Sequence, residues 1–117
     1  MEEREARLQE KLQRLLKEAA EVEVELSRQE GAIRGVPHYS VIEGRAHELG
    51  RRLSREVQTR QMGELMAGSS GKAKCPECGS RCQVDPHKRQ VASIDGELEI
   101  QEAMGYCPSC RRAFFPR

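Results

Sequence analysis

Cys75-Pro76-Glu77-Cys78-Gly79, answered by Cys107-Pro108-Ser109-Cys110, decides how this chain is read. Two Cys-x-x-Cys pairs stand 28 residues apart in a chain with five cysteines. Each pair carries a proline after its first cysteine, which suits a tight turn. Two such turns can bring four sulfurs to one tetrahedral ion. Zinc fits that site because it is redox-inert and accepts four thiolates at about 2.3 Å each. Cys75, Cys78, Cys107 and Cys110 are therefore the expected ligands of one structural zinc in a zinc ribbon.

The residues between the pairs predict a β-hairpin. Arg81–Val84 reads as a short first strand and Gln90–Ile94 as a second. Asp95-Gly96 is a two-residue turn signal of type I′, which needs positive φ at both positions. Glu97–Met104 alternates polar and apolar residues, the period of a half-buried strand. The fifth thiol, Cys82, lies four residues after Cys78, as Phe114 lies four after Cys110. Cys82 is expected as a small buried hydrophobe beside the metal. Its rival role, shared with His87, is to replace one of the four ligands. Disulfides are not expected, because the cysteine count is odd and no secretory signal precedes the domain.

The chain has 117 residues, with 33% charged and only 3% aromatic. That is thin material for one large core. A module near 40 residues usually needs a metal or a partner to fold, so zinc would supply much of the ribbon's folding free energy. No run of 18 apolar residues occurs, so no transmembrane helix is expected. Reduced thiols and the absence of a membrane span lead to a cytoplasmic expectation. Net charge is +1, but it is uneven. Residues 1–30 hold nine acids and six bases, and the basic surplus lies further on.

Taken in order, the chain is expected as α+β: a long helical hairpin over 1–67, a flexible linker over 68–73 and a small β zinc ribbon over 74–117. Residues 2–29 contain no Gly or Pro and are rich in Glu, Arg, Leu and Ala. Leu8, Leu12, Leu15, Ala19, Val22 and Leu26 form a heptad seam of nearly three repeats. Such a seam either joins a second copy as a coiled coil, making a homodimer through residues 8–26, or packs on the next helix of the same chain. Gly31 is a natural stop. Ser40 and Glu43 make a capping box that starts a second helix at about Val41. Its apolar positions are Val41, Ile42, Ala46, Leu49, Leu53, Val57, Leu65 and Met66. Arg51, Arg52 and Arg55 either meet phosphates or form a solvated face offset by Glu48 and Glu56. Gly68-Ser69-Ser70-Gly71 reads as the linker.

Basic residues gather around the ribbon. Lys72 and Lys74 lead into it, Arg81 follows the first knuckle, Lys88 and Arg89 open the hairpin, and Arg111 and Arg112 belong to the second knuckle. If the ribbon closes on one zinc, these seven can cluster and contact several phosphates of DNA, with salt-dependent binding.

The run Cys75-Pro-Glu-Cys-Gly-Ser-Arg-Cys82, followed by SIDGELEIQEAMGYCPSCRRAFFP (93–116), resembles the zinc-ribbon segment near the N-terminus of bacterial insertion-sequence transposases of the DDE type. In that family a helical leader precedes a Cys-x-x-Cys-Gly knuckle, a basic stretch, a hairpin and a second knuckle ending near Phe-Pro. Tyr106 and Phe114-Phe115-Pro116 match that close, and HYSVIEGRAHELGRRLSREVQ (38–58) is similar to the leader. The resemblance implies zinc ligation by the four cysteines and a DNA role. It implies no catalysis, because the acidic RNase H-like domain lies further on in that family. A truncated or split transposase, or a stand-alone descendant, fits this expectation.

The alternative is a protein-interaction or oligomerisation module with a structural zinc and no DNA binding. An enzyme is not expected. A thioredoxin-like Cys-x-x-Cys needs a βαβ setting and one pair, not two flanking a hairpin. No Gly-rich phosphate loop is found either.

Overall fold

The computed structural model describes residues 1–67 and 71–116. Two long helices are followed by a four-stranded antiparallel sheet, an α+β arrangement. The chain gathers into two compact units, Met1–Ala46 and His47–Arg117, with the division inside the second helix. Among the described residues no helix is long and apolar enough to cross a membrane.

In the first unit, α1 spans Glu2–Gln29. Glu2, Glu3 and Glu5 occupy its first turn, where carboxylates complement the positive end of the helix dipole. It stops as expected: Gly31 takes φ 73°, and the carbonyl of Ser27 accepts the N–H groups of Ala32 and Ile33 at 3.0 and 3.3 Å. Ser27 is the one buried residue of this helix. Its hydroxyl donates to the Val24 carbonyl at 2.7 Å. The apolar seam is not buried.

The second helix, α2, spans Tyr39–Ala67. It begins two residues before the expected start, so Ser40 lies inside it and the capping box is not its cap. His38 takes that place. Its Nδ1 accepts the Ser40 backbone N–H at 3.1 Å and lies 2.8 Å from the Ser40 hydroxyl. In the first unit, Arg45 reaches Glu23 at 2.7 Å and Glu30 at 3.1 Å. These carboxylates, Glu23 first, raise the Arg45 pKa further above its ordinary value.

In the second unit the sheet order is β1-β2-β3-β4: Lys72–Lys74, Arg81–Ser93, Gly96–Cys107 and Arg112–Phe114. The two expected early strands are one continuous β2. Pro86 does not break it, because it lies beyond the three residues that β1 pairs with, where β2 is a free edge on that side. The expected linker falls partly outside the described residues, at 68–70. Its last two residues, Lys72 and Ala73, belong to β1.

The hairpin turn is displaced by one residue. Ser93 pairs with Gly96, so Ile94 and Asp95 are the turn residues. Asp95 does not have positive φ; Gly96 does, at 115°. The turn is therefore not type I′. Contacts from α2 hold Asp95 in place. The Ser54 hydroxyl donates to its carboxylate, and Arg55 donates to its carbonyl at 2.8 Å. The second part of α2 thus docks on the hairpin through Ser54 and Arg55. Further along, Met62 and Met66 line a groove with Arg89, Glu102 and Phe115. Leu53, Val57 and Leu65 remain exposed, because the polar clamp on Asp95 sets which side of the helix faces the sheet.

Burial along the hairpin changes sides. Near the tip, Leu98 and Ile100 are buried; near the base, the buried positions are Gly105 and Cys107, of opposite parity. Alternate residues of a strand point to opposite faces, so one face is covered at the tip and the other around the cysteines. The basal core is small: Cys75, Cys82 and Cys107, with Cys110 and Phe114 packed against them.

Gly105 makes room for Phe114. A Cβ built at Gly105 would lie 2.5 Å from the ring Cζ. Gly105→Ala is therefore expected to lower stability by about 1–3 kcal/mol through overpacking. Adding Phe114→Leu should recover part of that loss in thermal unfolding of the metal-loaded protein.

Candidate metal centre

Each knuckle is a turn that aims two sulfurs inward. In the first, the Gly79 N–H donates to the Cys75 carbonyl at 3.0 Å; in the second, the Arg111 N–H donates to the Cys107 carbonyl at 2.7 Å. Both turns end on a left-handed residue, Gly79 at φ 74° and Arg111 at φ 57°. The first does so without steric cost, because glycine has no Cβ. The second places an arginine in a conformation that costs an L-residue about 1–2 kcal/mol. Adjacent strands complete the convergence: β1 leads into Cys75, β3 ends on Cys107, and Gly105–Phe114 pairing ties β4 behind it.

The four sulfurs of Cys75, Cys78, Cys107 and Cys110 lie within 4.8 Å of one another. Cys75 and Cys110 are 3.9 Å apart and Cys78 and Cys107 are 3.5 Å apart. Tetrahedral ligation at about 2.3 Å per sulfur calls for edges of about 3.8 Å. A disulfide needs about 2.05 Å, and all five cysteines are free thiols. The four cysteines are thus placed to hold one metal ion, and no further His, Cys, Asp or Glu joins the group among the described residues.

Cys82 stays out of this set. It is buried, and its Sγ faces the Ser80 carbonyl at 3.4 Å. Burial raises its thiol pKa, which keeps it neutral and hydrophobic. His87 lies opposite Glu102 in the hairpin and is not among the grouped ligands.

Without metal, the four thiols are unequal. Hydrogen bonding to Ser80, through its side chain and then its backbone, lowers the Cys78 pKa to about 6. Cys78 Sγ and Ser80 Oγ are 3.2 Å apart. Cys107 is also lowered, chiefly by the Cys110 backbone N–H, which donates to its sulfur at 3.4 Å. Cys110 is raised to about 12 by the neighbouring sulfurs of Cys78 and Cys75. Cys78 is therefore the thiol that gives up its proton most readily, while Cys110 holds its proton until a cation displaces it. Ser80 was not singled out from the sequence. Its signal was a hydroxyl two residues after the second cysteine of the knuckle.

The seven basic residues do not form one cluster. All are exposed. Lys88 and Arg89 are consecutive in β2 and so point to opposite faces. Each is held by an acid of β3: Lys88 lies 3.8 Å from Glu99 and Arg89 2.7 Å from Glu102. Arg112 reaches Glu77 of the other knuckle at 2.9 Å. Lys74 and Arg81 stand directly opposite each other across β1 and β2, with Lys72 two residues from Lys74 on the same face. Arg111 lies in the second knuckle turn. On α2, Arg51 and Arg55 both approach Glu48, at 3.8 and 3.7 Å. That is the acid-offset face of the two sequence readings. Comparison with family models, with curated proteins and with solved structures finds no match.

Metal binding must release thiol protons, so affinity is expected to rise with pH. It should weaken steeply as pH falls through about 6, where Cys78 takes up its proton. In the metal-free protein at pH 7, iodoacetamide should modify Cys78 first, since it is exposed and its pKa is lowered to about 6, and the buried Cys82 more slowly. Peptide mass mapping over time reads this order. Arg111→Gly is expected to raise stability by about 1 kcal/mol by relieving its left-handed backbone, measured by denaturant unfolding.

Proposed function

We propose that this chain is a non-catalytic DNA-binding module whose ribbon is closed by one structural zinc. Four thiolates and no open position make a structural site rather than a catalytic one. The order of helical leader, knuckle, hairpin and aromatic-flanked knuckle supports the likeness to the N-terminal part of an insertion-sequence transposase. The observation that carries the DNA reading is the Lys74–Arg81 pair. Like charges directly opposed across two strands are destabilising. Among the described residues no carboxylate lies within ion-pair distance of either. A phosphate between them would turn the repulsion into attraction. With Lys88, Arg89 and Arg112 already held by acids, this face is the one the ribbon offers to a nucleic-acid backbone.

A second reading has its own observation. The heptad seam of α1 stays exposed, as an assembly module that pairs through its helices would require.

Fluorescence anisotropy with a duplex, titrated with salt, separates the two. One zinc per chain and a log–log salt slope of about −2 are expected for phosphate contacts at Lys74 and Arg81. Lys74→Glu with Arg81→Glu should flatten the slope by about two, while Arg89→Ala should leave it nearly unchanged. No binding at low salt, in a protein that holds its zinc, would leave the assembly reading alone.

A further inference from the structure

The seam of α1 is open to solvent along its whole length. Leu8 is 59% exposed, Leu12 57%, Leu15 47%, Val22 63% and Leu26 43%. A helix with an uncovered apolar stripe gains most of its stability by burying it against another helix. The residues beside the seam show which helix fits.

One flanking column runs Arg4, Lys11, Glu18, Glu25. It is basic in the first half of the helix and acidic in the second. The other column runs Gln9, Leu16, Glu23, Glu30. In a parallel pair the first column meets the second of the other copy, five residues on. Glu18 then meets Glu23 and Glu25 meets Glu30, both like-charged, while Lys11 meets Leu16 and Arg4 meets Gln9. No attractive pair results. In an antiparallel pair each column meets itself reversed. With the six seam residues aligned, Lys11 and Glu25 of opposite copies face each other twice, Glu18 meets Glu18 once at the two-fold axis, and Leu16 meets Leu16 as added apolar contact, so attractive pairs outnumber the repulsive one. Arg45 of the same chain holds Glu23 and Glu30, so the second column's acids weigh less than the first column in either orientation.

A column that is complementary to its own reverse selects a second copy of this chain, through a two-fold contact. We infer that α1 pairs antiparallel with α1 of a second copy through Leu8, Leu12, Leu15, Ala19, Val22 and Leu26. This rests on the assembly reading and adds the partner and its direction.

Sedimentation equilibrium on the full zinc-loaded chain tests both parts. A dimer is expected, and Leu15→Asp should make it monomeric with its zinc content unchanged. Glu25→Lys sets a lysine against Lys11 of the other copy and should weaken the dimer by about tenfold at low salt. Adding Lys11→Glu should recover part of that loss. In a parallel pair Glu25→Lys would instead relieve repulsion against Glu30 and tighten the dimer. A monomer at 100 μM or so overturns the pairing and the assembly reading together. A dimer that Glu25→Lys tightens or leaves unchanged overturns only the direction. A dimer that survives Leu15→Asp overturns the seam.

Discussion

Four thiols held within 4.8 Å of one another cannot all ionise in that space, because like charges raise each other's pKa. A single divalent cation removes the conflict. Much of the second unit is arranged around that fact. The basal core is little more than the cysteines, Cys82, Val84 and Phe114, too small to hold four strands by burial alone. Bonds from these sulfurs to a metal ion would replace the missing apolar area. The knuckle turns accept a strained Arg111, and Ser80 supplies a hydroxyl to a sulfur, because both serve that convergence.

The same economy explains the distribution of basic residues. Inside a hairpin, a lysine or arginine has an opposite strand within reach, and in this sheet that strand carries Glu99 and Glu102. Lys88 and Arg89 are neutralised there as a matter of cross-strand geometry. Arg112 finds Glu77 because the two knuckles are brought together at the cysteines. Among the described residues, cations stand opposite cations only where β1 meets the start of β2. Charge at the ribbon is therefore local, not a general positive field, in keeping with a net charge of +1.

The cysteine spacing, the helix of residues 2–29 and its glycine stop were legible because each depends on neighbours in sequence. The α+β arrangement followed from them. What was not legible depended on groups far apart in the chain. The turn shifted to Ile94-Asp95 because Ser54 and Arg55 hold Asp95 from a helix some 40 residues earlier. The face of α2 that docks is polar and methionine-lined for the same reason, so a count of its leucines and valines pointed elsewhere. The capping box was a good local signal, but His38 offered the Ser40 N–H an acceptor first. The side switch of burial in β2 and β3 left no single period to read. Lys88 and Arg89 are adjacent in sequence, which suggested one patch, and the pleat separates them.

The long hairpin also changes how the metal is bound. Cys78 and Cys107 are far apart in sequence, yet β2–β3 pairing already joins Val84 to Gly105. Five residues on one side and one on the other then separate that pair from Cys78 and Cys107. The sulfurs meet at an effective concentration set by the hairpin, not by a free loop. The tip, roughly 36 Å from Cys107 by strand rise, would thus contribute to metal affinity without touching the ion. Metal affinity and hairpin stability are two measures of one equilibrium.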